Sequence, residues 1–94
     1  SFCDALLAPT PGELTFAINN HHLAEGLAVS DAQVAAAMAT AFATLKIVLE
    51  PGGAVALAAV LAGRFEARDK ISVIVASGGN VEPELFARVL ARCP

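Results

Sequence analysis

An α/β architecture, with helices packed on a short and mostly parallel sheet, is what this sequence predicts. Three observations carry that reading. A nearly unbroken apolar run, Ile71-Ser-Val-Ile-Val-Ala76, suits a central strand covered on both faces. The run leads straight into Ser77-Gly78-Gly79-Asn80, a turn at the end of a strand, where open α/β sheets bind their ligands. Two alanine-rich helical stretches precede it and one amphipathic stretch follows, so the order reads helix, helix, strand, helix, with a short strand in front.

Taken from the start, residues 1–12 form an irregular opening segment punctuated by Pro9, Pro11 and Gly12. Residues 13–18, ELTFAI, read as a short strand or a packed loop, and Asn19-Asn20-His21-His22 as a surface turn or a helix start. Leu27-Ala28-Val29 reads as a short strand. Ser30 then opens a capping box with Gln33, and Asp31 sits at the positive end of the helix dipole. Val34, Met38, Ala41, Leu45 and Val48 recur at helical spacing, which predicts a helix over 31–49 stopped by Pro51.

A second helix is expected from Pro51 to Leu61, with Gly63 just past its end. Gly52 and Gly53 each cost about 1 kcal/mol in a helix relative to alanine, so close packing or backbone approach is expected there. Arg64 to Lys70 is a charged turn, and Asn80 is expected to cap a last helix over 81–92.

Composition narrows the function. Over 94 residues the hydrophobic fraction is 56% and the mean hydropathy +0.66, rich for a chain that can bury only ~60–65% of its unfolded surface. Faces of this molecule are therefore expected to lie against further chain or against copies of itself in a homo-oligomer. Six basic residues against nine acidic ones, a net charge of −3 and no Trp or Tyr argue against a nucleic-acid partner. The apolar run 52–63 is too short to cross a bilayer, and no signal peptide is evident, so a cytoplasmic protein with no membrane partner is expected. Cys3 and Cys93 lack metal-ligand spacing and read as free thiols, with a disulfide joining the termini as the alternative.

The chemistry-bearing candidates are few. In Ser77-Gly78-Gly79-Asn80 the glycines let backbone approach a planar or anionic group, and Ser77 offers a hydroxyl that both donates and accepts. The same four residues also suit an ordinary tight turn with a cap. They match neither a dinucleotide fingerprint nor a phosphate-binding Walker loop. Glu50, which closes an apolar run just before Pro51, is either exposed at a helix end or buried beside a partner or ligand. Asp4 reads as a turn residue. His21 and His22 read as a surface pair, and no metal site is expected. Of the two lysines, Lys70 precedes the strand and so lies about 20 Å from Ser77, while Lys46 sits mid-helix.

Three stretches together resemble the C-terminal segment of the fold-type II pyridoxal-phosphate (PLP) enzymes, in the group of threonine ammonia-lyase, hydroxyaspartate ammonia-lyase and serine racemase. They are S1-F-C-D-A-L-L-A-P-T-P-G-E-L-T-F, L45-K-I-V-L-E-P-G-G-A-V-A-L-A-A and V75-A-S-G-G-N-V. The resemblance implies that residues 1–94 are an incomplete C-terminal part of a PLP-dependent lyase catalytic domain of the tryptophan-synthase-β-like fold. It implies that Ser77 hydrogen-bonds the pyridine nitrogen of PLP, that Gly78 lies beside the ring edge and that Glu50 flanks the ring on its other side. Asp4 would lie toward the substrate. No catalytic residue is expected in this segment, because neither Lys46 nor Lys70 reads as the Schiff-base lysine. The parent would take a small β-hydroxy amino acid and eliminate water to give a 2-oxo acid and ammonia, with the 94 residues alone inactive. Amino-acid racemisation is the rival within the class, and a non-catalytic α/β binding or regulatory module the rival outside it.

Overall fold

Ser30 starts the helix around which the rest is arranged. In the computed structural model, which describes residues 2–92 apart from the side chain of Ala5, the capping box is complete. The Gln33 amide donates to Ser30 Oγ at 3.1 Å, and the Ser30 amide donates to Gln33 Oε1 at 2.9 Å. The Phe2 amide donates to Asp31 Oδ2 at 3.3 Å and so ties the opening segment to the same helix end.

Among the described residues four α-helices follow one another: α1 (Glu13–His22), α2 (Asp31–Thr40), α3 (Val55–Leu61) and α4 (Pro83–Arg92). Helix α2 packs against both α3 and α4. Its Val34, Ala37 and Met38, with Ala41 just past its end, form one buried core with Ala54, Ala58, Val89, Leu49 and Cys3. Just past the end of α2, Phe42 meets Phe86 of α4 edge to face, 5.3 Å between ring centroids, a geometry that aromatic quadrupoles favour.

Helix α3 is introduced by a 3-10 turn, Pro51–Ala54, in which proline stands at the start. It ends as its glycine predicts. Gly63 takes φ +73°, its amide donates to Val60 O at 3.1 Å, and the Arg64 amide donates to Ala59 O at 2.9 Å. Those two bonds are the Schellman arrangement, which satisfies carbonyls the helix end leaves open.

Four expectations are corrected. First, α1 is a helix where a strand or loop was expected over 13–18. Gly12 caps it, Glu13 lies in its first turn and His21 and His22 in its last, an order that complements the dipole. Second, the helix over 31–49 ends early. Ala41–Leu45 winds as a π-turn, Lys46 takes the left-handed φ of 60°, and 46–50 run without helix. Leaving the helix there frees the Glu50 amide for a partner far away in sequence. Third, α4 begins at Pro83 rather than 81, and its first bond runs from the Phe86 amide to Glu82 O, so Asn80 is not the cap. Proline keeps the residue before it out of the helical region, which places the boundary at Glu82.

Fourth, no strand forms among the described residues, at 71–76 or at 27–29. The predicted sheet is not confirmed among the described residues: a strand exists only through a ladder, and no described segment hydrogen-bonds the backbone of 71–76. Ile71, Val73 and Val75 are 100%, 91% and 70% exposed. The disulfide alternative involves Cys93, outside the described residues; Cys3 is buried.

Candidate functional site

The three motif stretches meet. The 3-10 turn Asp4–Leu6 packs against the turn Pro51–Ala54, and that turn in its turn packs against Gly78. The Glu50 amide donates to Gly78 O at 2.9 Å, and the Gly53 amide donates to Glu50 O at 3.0 Å. Segment 48–53 therefore lies backbone to backbone on the Ser77–Asn80 loop.

That contact is built from glycines. A Cβ on Gly53 would stand 2.6 Å from Gly78 O and 2.9 Å from Gly78 N, and one on Gly79 would stand 2.5 Å from Val48 O. A Cβ on Gly78 would run into Glu50 Oε1, so the Glu50 carboxylate lies directly against that glycine. Glu50 is half-buried in extended conformation at φ −73°, ψ 162°, as a residue before proline should be. Ser77 is exposed and Gly78 half-buried. Both Ser77–Gly78 and Glu50 thus belong to one locus, and the expected reason for a glycine at 53 is close backbone approach.

Asp4 is exposed on the turn that packs against Pro51–Ala54. The remaining candidates fall elsewhere. His21 and His22 are exposed at the end of α1, and no metal-holding cluster exists among the described residues. Lys46 donates from Nζ to Ala43 O at 2.8 Å. The Lys70 ammonium lies over the Phe65 ring, 5.2 Å from its centroid, which is cation–π range. No described helix is long and apolar enough to cross a membrane.

Sequence reasoning missed one feature. A groove of ≈ 660 Å³ is walled by Leu27 and Val29, by Val55 and Val60 of α3, and by Ile71 and Val73. Its signal was present in the two runs that read as strands. Neither Ser77 nor Glu50 lines it, so this groove and the motif locus are different places.

Over residues 1–78 the chain matches the family described as "Pyridoxal-phosphate dependent enzyme", and it belongs to that family. It is 32% identical over 90 residues to the L-threonine ammonia-lyase of Thermotoga maritima, covering 96% of this chain and 22% of that protein. It is 35% identical over 81 residues to a serine racemase of Schizosaccharomyces pombe, covering 86% and 25%. A β-hydroxyaspartate dehydratase of Paracoccus denitrificans is 35% identical over 79 residues, covering 84% and 25%. The chain thus spans about a quarter of the length of the curated relatives it matches.

Proposed function

We propose that this chain supplies one wall of the PLP site in an ammonia-lyase of the threonine or serine dehydratase type, as the C-terminal part of its catalytic domain. The observation that supports this most directly is the contact of Glu50 with Gly78, which brings the loop bearing Ser77 and the Glu50 carboxylate to a single place. The residues fit a flat heterocycle: Gly78 and Gly79 present bare backbone, and the exposed Ser77 hydroxyl is available to a ring nitrogen. The substrate is a small β-hydroxy amino acid, the chemistry shared by the names of the relatives.

PLP, when bound, withdraws electrons from the α-carbon of the amino acid. The rest is done by protein groups. Ser77 Oγ would donate its hydrogen to the pyridine nitrogen and so hold that atom without a proton of its own. An aspartate would keep it protonated and make the ring a stronger electron sink. A weaker sink would suit loss of the α proton together with the β hydroxyl, without a long-lived carbanion. Glu50 would border the ring substituents, and Gly78 would leave the ring edge clear. A serine racemase among the relatives keeps racemisation as the second reading.

The chain by itself is inactive on this reading. Lys46 Nζ donates to the Ala43 carbonyl and the Lys70 ammonium lies over the Phe65 ring; on this reading neither carries PLP, and that lysine would come from the rest of the parent. The test uses the full-length parent loaded with PLP. Ser77→Asp is expected to change the visible absorbance of the bound cofactor and to lower kcat for 2-oxo acid release. An unchanged spectrum and kcat would refute the assignment of Ser77. For the 94 residues alone, PLP and borohydride should leave no stoichiometric lysine adduct.

A further inference from the structure

Gly53 holds a place that torsion does not explain. Gly63 is the only glycine among the described residues with a positive φ, so Gly53, Gly78 and Gly79 are not needed for left-handed backbone. They are needed for space. The 2.6 Å and 2.9 Å from a Gly53 Cβ to Gly78 O and N fall well short of the 3.4 Å where ordinary contact begins. Both atoms are main chain, and Gly53, within the Pro51–Ala54 turn, is buried against the loop. A side chain at 53 would therefore drive Gly78 back, its carbonyl by most of an ångström and the amide it shares with Ser77 by about half an ångström. It would also strain the bond from the Glu50 amide to Gly78 O. On the other side, Gly79 seats against Val48 O.

We propose that Gly53 is a positioning residue: its bare Cα sets how far the Ser77–Asn80 loop advances, and with it the depth at which Ser77 Oγ meets the pyridine nitrogen of PLP. The proposal rests on the assignment of Ser77 made above. Gly53 touches neither cofactor nor substrate and acts through the Gly78 peptide. Displacement of a positioned group by about 1 Å costs on the order of 10²-fold in rate, which sets the scale expected.

The experiment uses the full-length parent with PLP and four variants: Gly53→Ala, Ser77→Ala, the double variant, and Gly26→Ala. A methyl group on Gly26 would meet nothing within 4 Å, so that variant serves as the comparison. Gly53→Ala is expected to lower kcat/KM roughly 10²-fold and to shift the absorbance of bound PLP in the same direction as Ser77→Ala, while Gly26→Ala does neither. The double variant should be no worse than the more severe single one, because both remove the same interaction. Wild-type spectrum and kcat/KM in Gly53→Ala, with Ser77→Ala altered, overturn the proposal alone. Effects that multiply in the double variant overturn it too. A Ser77→Ala spectrum identical to wild type overturns the Ser77 assignment and the proposal with it. Should Gly53→Ala not fold, Gly79→Ala presses the same loop from the Val48 side. In the unsubstituted parent, exchange of the Glu50 amide hydrogen should slow when PLP is added; equal exchange with and without PLP counts against the proposal.

Discussion

Met38 and Ala37 in α2 are 0% exposed, whereas Ile71 and Val73 are 100% and 91% exposed. The two regions are alike in composition and opposite in environment. A helix satisfies its backbone hydrogen bonds internally and asks only for cover on its side chains. Helices α3 and α4 provide that cover for α2 within this chain. An extended segment must find backbone partners elsewhere, and 71–76 has none among the described residues. Helical parts of a chain can thus complete their packing locally, while an inner strand is only as buried as its neighbours make it. That the relatives are about four times as long agrees with this difference.

The sharpest way to break the comparison is Met38→Ala. Removing a fully buried side chain from the α2 seam should cost ~2–5 kcal/mol in urea unfolding followed by far-UV circular dichroism. A loss below ~1 kcal/mol would mean that the helical core is no better packed than the extended run.

Next in size is Ser30→Ala. It removes one half of the capping box at the start of α2 and should cost ~0.5–2 kcal/mol in the same assay. No measurable loss would indicate that α2 is held by packing alone.

The smallest effect belongs to the other region. Ile71→Ala in this chain should change stability by less than ~0.5 kcal/mol, because the side chain is already in water. In the full-length parent the same substitution should cost ~2–5 kcal/mol, the range for a buried isoleucine. Equal effects in the two contexts would refute the idea that further chain covers Ile71.

Much of the helical half was legible in the residues themselves. Ser30 with Gln33, Pro51 ahead of α3 and Gly63 behind it each carry their mechanism within a few positions. Helix α1 was not legible, because Leu14, Phe16 and Ile18 alternate as strand residues do. In the structure they are 74%, 54% and 51% exposed, so no buried face rewarded that alternation, and the Gly12 start and terminal histidines agree with a helix instead. The apolar period through Leu45 and Val48 overran the true end of α2 for a related reason: it records burial or cover, not which backbone conformation supplies it. For the candidate site, Ser77, Gly78 and Glu50 were nameable from their motifs, yet nothing in the spacing required Glu50 to lie against Gly78.

What the sequence determined by itself is the set of short-range devices: a hydroxyl cap, a proline that cannot donate and a glycine that turns left. Each works through atoms only a few residues apart, so the chain carries it wherever it goes. The tertiary structure alone decided that the segment after α2 would leave the helix and lie on the Ser77 loop. That contact joins backbone atoms from distant parts of the chain, and it exists because glycines at 53, 78 and 79 let two main chains come closer than any side chain would permit.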